Sequence, residues 1–252
     1  MRTLYQDICY GFRMLWKRPG GTIVIICTLG LVIGALSLVL GVKRHERSTR
    51  LPFPDADHLV RLWRISKQTQ GDIFPASVYA ELRRQVQGLE SMAVLGSSGS
   101  YVLTGRGEPM SLYGQRVTAS VFKVTNVQPV LGRTFSPEEE QTGEEHLVVL
   151  SYETWQTVFD RAESIIGDSI RLNEEPYTIV GVMPKGYGQN VLFYGIDIWL
   201  PRNFGSPARA GDWRPIIGRR KKGVTQSQLQ AELDVIVTPI LKAYAASQNR
   251  TR

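Results

Sequence analysis

"DSIRLNEEPYTIVGVMP", residues 168–184, alternates apolar and polar positions on both sides of a polar centre. Ile170 and Leu172 sit on one strand, Asn173-Glu174-Glu175 turn, and Tyr177, Ile179 and Val182 return before Pro184 stops the run. Side chains two apart on a strand share a face, so this stretch is a β-hairpin with one side on a core. Just upstream, "HLVVLSYETWQTVF" (146–159) supplies a buried strand, Leu147 to Leu150, and then Ser151 as the cap of a helix presenting Trp155 and Phe159. Downstream, "DIWLP" (197–201) is a short strand. "PIIGRRKKGVTQSQLQAELDVIVTPILKAY" (215–244) is a strand, a basic glycine turn and a helix from Thr225 with Leu229, Leu233, Ile236 and Ile240 on its apolar side.

Towards the N-terminus, "LPFPDADHLVRLWRI" (51–65) turns at its prolines, and Leu59 to Ile65 suits a strand. "PASVYAELRRQVQGLESM" (75–92) has Val78, Leu82 and Val86 at four-residue spacing, which predicts a helix with Ser77 as N-cap, closing near Gly88. Four strand-like pieces follow between glycine turns: "SMAVLG", "SYVLTG", "PMSLYGQRVTAS" and "LGRTFSPEEE". Helices and strands interleave without a strict βαβ rhythm, so the class is α+β and not a doubly wound sheet.

The 252 residues are 42% hydrophobic, enough to bury a core. A net charge of +7 would suit nucleic acid, but residues 1–50 hold eight bases against two acids, while the other 202 residues hold 22 bases and 21 acids. The excess brackets an uncharged run, Gly21 to Val42, whose 22 helical residues would span about 33 Å, the thickness of a hydrocarbon core. Bases there meet anionic lipid, and no nucleic-acid partner is expected. Residues 1–20 form an amphipathic interfacial helix, 21–42 a transmembrane helix, 43–58 a linker or stalk, 59–245 a core domain and 246–252 a tail. Trp16, Lys17 and Arg18 on one side and Lys43 and Arg44 on the other are the membrane-interface residues. The basic residues flanking the span are equal in number on its two sides, so charge alone leaves the orientation open. Both cysteines, Cys9 and Cys27, precede residue 51, which excludes a disulfide framework or a cysteine zinc site beyond it.

Chemistry-bearing motifs are few. No G-x-x-x-x-G-K-[ST] loop occurs, so the chain has no phosphate cradle of that type for ATP. His45, His58 and His146 have no metal-ligand spacing, and each reads as a surface residue. The acids Glu138, Glu139 and Glu140 with Glu144 and Glu145 suit either a cation site or the first turn of a helix after Ser136-Pro137, and the helix reading is the stronger. Arg219-Arg220-Lys221-Lys222 before Gly223 could touch phosphate but reads as solvated turn charge. No nucleophile, base and oxyanion donor come together, so no catalytic residue, metal or cofactor is assigned, and the chain is not an enzyme.

The order of "RTLYQDICYGFRMLWKRPG", the apolar run, "LPFPDADHLVRLW", "GQRVTASVFKVTNVQPVLGRTFSPEEE", "GDSIRLNEEPYTIVGVMP" and "DIWLP" resembles the N-terminal half of bacterial ABC transporter permeases of the MacB and FtsX type, in the large orphan-permease group. The resemblance implies an inner-membrane protein with one span as given and its C-terminal domain in the periplasm or outside. That domain would be a periplasmic core with a porter-like α/β lobe and a β-rich inserted lobe. It implies an ABC-type ATPase subunit as partner, and a homodimer or related permease. Two departures stand out: the charged "KRHERSTR" (43–50) where the family has a less polar stalk, and an end at Arg252 before the family's three further spans. Either the sequence is a piece of a four-span permease or it is a one-span relic or regulatory form. The function expected is therefore the extracytoplasmic, non-catalytic part of an ATP-driven permease or mechanotransmission complex. The alternative is a single-span envelope binding or scaffold protein that works without an ATPase.

Overall fold

The computed structural model describes residues 53–65, 70–71, 73–142, 146–190, 192–204 and 213–249. The interfacial helix, the membrane span and the residues Trp16, Lys17, Arg18, Lys43 and Arg44 lie outside that set, as does His45. The chain divides after Arg50, and everything described belongs to the second unit, Leu51–Arg252.

The strands are β1 (Leu59–Arg61), β2 (Arg64–Ile65), β3 (Gln70–Gly71), β4 (Ile73–Pro75), β5 (Leu89–Thr104), β6 (Met110–Val117), β7 (Leu131–Gly132), β8 (Leu147–Leu150), β9 (Ser169–Leu172), β10 (Glu175–Val182), β11 (Ile198–Pro201) and β12 (Trp213–Arg220). The helices are α1 (Ala76–Gln85), α2 (Val121–Thr125), α3 (Pro137–Thr142), α4 (Tyr152–Val158) and α5 (Gln226–Asn249), with one-turn 3-10 helices at Ala56–His58 and Glu163–Ile165. Ten strands make one sheet in the order β1-β12-β5-β6-β11-β8-β10-β7, with β4 added on β12 and β9 bridging β10 and β5. The pairs β6/β11 and β8/β10 are parallel and the other pairs of this sheet antiparallel. This mixed sheet with helices on its faces is the α+β arrangement that the interleaved pattern implies.

The opening hairpin forms as β9 and β10, with Leu172 opposite Glu175 and Ile170 opposite Tyr177. Its turn is two residues, Asn173 (φ 51°) and Glu174 (φ 68°), both left-handed as a type I′ turn requires, so Glu175 already belongs to the strand. A register shift between Ile179 and Gly181 inserts Val180, which lets Val182 return to the face of Tyr177 and Ile179. Asn173 docks the turn on β5: its Oδ1 accepts from Val102 N at 2.8 Å and its N–H donates to Val102 O at 2.9 Å.

Three expectations need correction. "SMAVLG" and "SYVLTG" are not two strands but parts of the sixteen-residue β5. The glycines between them that suggest a turn instead mark an irregularity, where a Cβ on Gly96 would collide with the Arg116 carbonyl and the Phe204 ring. Leu59 to Ile65 breaks after Arg61, and Arg64–Ile65 joins Gln70–Gly71 in a separate two-stranded ribbon. Helix α1 starts at Ala76 on Pro75 as N-cap, so Ser77 lies inside the first turn, because Pro75 already ends β4 in extended geometry.

Sheet alternation sorts the buried side chains into three clusters. On one face, over β12 and the first half of β5, Met92, Val94 and Ile216 meet Val78 and Leu82 of α1 and Leu229 and Ile236 of α5. Towards the other end Leu103, Leu150, Leu172, Tyr177, Ile179 and Leu200 form a second cluster. On the reverse side Ala93, Leu95, Val149, Val180 and Ile217 pack under an aromatic group of Phe53, Phe122, Tyr187, Phe193 and Trp199. Helix α5 is held to the end of α1 by Glu232, whose carboxylate accepts from Gln87 N at 2.6 Å and Gly88 N at 2.9 Å. Among the described residues no helix is long and apolar enough to cross a membrane.

Glu174 holds a left-handed conformation that costs an L-residue about 1–2 kcal/mol, against about 0.5–1 kcal/mol of extra chain entropy for glycine. Its exposed pair with Arg171 at 3.8 Å contributes little. Glu174→Gly is expected to stabilise the protein by about 0.5 kcal/mol, read as a higher urea midpoint by tryptophan fluorescence; a lower midpoint would contradict the I′ turn.

Candidate functional site

The acidic run resolves into local chemistry. Ser136, Pro137 and Glu139 build a capping box at the start of α3: Glu139 N donates to Ser136 Oγ at 3.3 Å, and Ser136 N donates to Glu139 Oε2 at 2.8 Å. Arg133 closes on the same carboxylate with two bonds, at 2.9 and 2.6 Å. That guanidinium, and then the Ser136 N–H, hold the Glu139 carboxyl below the ordinary 4.5. Glu140 differs: it is 7% exposed and accepts from Ala119 N at 2.7 Å, and burial raises its carboxyl above 4.5 despite that bond. The run is a helix start with one buried acid, and Glu144 and Glu145 fall outside the described residues.

The basic turn has a different character. Arg219 is 5% exposed. Its Nε donates to Val124 O at 2.7 Å, Nη1 to Asp55 O at 3.2 Å and Nη2 to Pro54 O at 3.2 Å. It therefore joins β12, the end of α2 and the segment that leads into β1. Arg220 Nη1 donates to Val224 O inside the turn, and His58 Nδ1 lies 3.3 Å from Arg220 O. These groups border a cleft of about 410 Å³, with Lys123, Asn126, Gln128 and Thr134 on the α2 side and Lys222 on the turn. Asp55 and Glu90 are its two carboxylates. Solvated turn charge describes Lys221 and Lys222, both exposed, but not Arg219.

Phe53 fastens the same leading segment. Its ring lies 5.5 Å from Tyr187 and 6.4 Å from Phe193, and Trp199 lies 5.1 Å from Tyr187. The Tyr187 hydroxyl is hydrogen-bonded to Thr125 Oγ1 at 2.9 Å, and burial pushes this phenol far above its ordinary value. Spacing in the sequence marks neither Phe53 nor Arg219; the one available signal is the position of Phe53 between two prolines just before the first strand.

His146 is exposed, 3.7 Å from Glu175 and tilted against Tyr177, which fits its reading as a surface residue. Among the described residues no group of His, Cys, Asp and Glu is placed to hold a metal ion.

The family described as MacB-like periplasmic core domain matches residues 22–236. The chain belongs to that family. This MacB-like domain is the type found in ABC transporter permeases of the MacB and FtsX kind. Its fold is similar to three solved structures. The periplasmic region of MacB from Actinobacillus actinomycetemcomitans has a TM-score of 0.54 at 13% identity, over 72% of this chain and 83% of that one. A domain of a putative permease from Porphyromonas gingivalis scores 0.52 at 14% identity, over 70% and 81%. The extracellular domain of the noncanonical ABC-type transporter YknZ from Gram-positive bacteria scores 0.51 at 13% identity, over 69% and 88%. No curated protein matches the sequence.

The two neighbouring glutamates of this MacB-like domain should respond to pH with opposite signs. Glu139, with a lowered folded pKa, contributes stability that is present above 4.5 and lost as pH falls through the lowered value. Glu140, with a raised one, contributes stability that is present below 4.5 and lost as pH rises through the raised value. In denaturation series over pH, the advantage of the wild type over Glu139→Gln should grow as pH rises towards 4.5. Its advantage over Glu140→Gln should shrink as pH rises beyond 4.5. Trends of the same sign would show that the two environments are not as described.

Proposed function

We propose that the chain is the membrane-anchored, extracytoplasmic and non-catalytic part of an ATP-driven permease or mechanotransmission complex. The family match carries this reading, because it begins at residue 22 within the apolar run and continues into α5. In this reading residues 21–42 span the inner membrane, with Trp16, Lys17, Arg18, Lys43 and Arg44 at the lipid interface. The core domain over 59–245 lies outside, and an ABC-type ATPase drives the assembly from the cytoplasm, with a second copy or a related permease alongside.

The described fold supports the two-lobed division. Strands β1, β4 and β12, the first half of β5, and helices α1 and α5 form the porter-like lobe. The stretch from Gly96 to Pro201 is inserted between its two halves and supplies the β-rich lobe. The anchoring of Phe53, Pro54 and Asp55 supports a mechanical role. A displacement arriving along residues 43–52 meets a segment pinned to an aromatic core and to a buried guanidinium, so little of it is absorbed as slack.

Purification of the chain in detergent from its own host should recover an ATPase subunit in stoichiometric amount; a preparation that never carries one would favour the scaffold alternative. Topology is checked separately. With Cys9 and Cys27 replaced, Ser48→Cys should react with a membrane-impermeant thiol reagent in intact cells. Labelling only after lysis would overturn the outside placement.

A further inference from the structure

The cleft beside Arg219 has a charge arrangement that the permease reading does not use. Buried charges in proteins are ordinarily paired, since an isolated ion in a low-dielectric interior is costly. Arg219 is buried, yet its bonds go to three main-chain carbonyls, and among the described residues no carboxylate lies within ion-pair distance. Each of its three nitrogens has a carbonyl dipole as acceptor, which leaves its charge uncancelled. Lys123 and Lys222 at the same cleft are exposed and likewise have no ion-pair partner among the described residues. With Arg220 the lining carries four permanent cations against two carboxylates, and low-dielectric walls focus such a field into the opening.

We propose that this cleft binds the phosphate group of a small ligand, either a phospholipid headgroup or a free phosphate ester. A phosphate offers acceptor oxygens in several directions and so can meet cations on different walls, which a planar carboxylate does less well. Asn126, Gln128 and Thr134 add neutral donors at the rim. The volume of about 410 Å³ suits a headgroup-sized ligand. Asp55 and Glu90 have no ion-pair partner among the described residues either, so a phosphate that also carries an ammonium group fits better than a bare polyanion. The inference is independent of whether an ATPase partners the chain.

The test uses the full chain in neutral maltoside micelles, titrated calorimetrically with O-phosphoethanolamine and with inorganic phosphate. A second arm titrates the same micelles with water-soluble dihexanoylphosphatidylethanolamine. Saturable binding of the soluble ester, weakened about tenfold in Lys123→Gln/Lys222→Gln with an unchanged denaturation midpoint, is the expected result for a free ester. Saturable binding of dihexanoylphosphatidylethanolamine alone, reduced by the same double variant, would assign the lipid source. Glu90→Gln keeps every cation and should tighten inorganic phosphate, a change in the opposite direction. The proposal is overturned if neither source binds saturably, if the double variant binds as the wild type does, or if inorganic phosphate binds the wild type and Glu90→Gln leaves its affinity unchanged.

Discussion

The backbone ladder of β5 is the constraint on which the rest of the structure depends. Its first half pairs with β12 and its second half with β6, and its last two residues also meet β9. Among the described residues it is the one strand that contributes to all three buried clusters, through Met92 and Val94, through Ala93 and Leu95, and through Leu103. A strand that changes partners part-way must yield somewhere, and it does so at Gly96, where the absence of a Cβ admits the Arg116 carbonyl and the Phe204 ring. The helix-covered end and the strand-rich end therefore share one sheet instead of meeting as separate bodies.

The point where the chain enters this sheet is secured by two unlike interactions. Phe53 contributes apolar area and ring contacts with Tyr187 and Phe193. Arg219 contributes directional bonds to the carbonyls of Pro54 and Asp55, held in place by a third to Val124. Removing the guanidinium would take a partner from all three carbonyls; Pro54 and Asp55 are exposed and Asp55 O keeps its bond from His58 N, so the main structural cost, about 1–3 kcal/mol, falls at buried Val124. Such a junction fits the mechanical reading proposed above.

Much of the architecture was legible because it follows from short-range chemistry. The hairpin of β9 and β10, the step from β8 to the Ser151-capped α4, and the start of α5 at the Thr225 and Gln228 box all depend on residues within a few positions of one another. The acidic run was readable for the same reason, since Ser136 and Glu139 are three apart. Its exception, Glu140, was not: nothing near it in sequence reveals that it bonds Ala119, 21 positions away. The basic turn misled in the same manner, because Arg219 meets Val124 across 95 residues and Pro54 across 165.

Sequence alone determined the periodicities, the caps, the concentration of positive charge before residue 51 and the order of blocks that marks the family, since each is a property of neighbours along the chain. Tertiary structure decided that two glycine-separated pieces are one strand, that a left-handed Asn173 docks on Val102, and that one arginine of four basic residues is buried beside a cleft. Those outcomes rest on contacts between distant segments, whose geometry exists only once the sheet is assembled and its faces are covered.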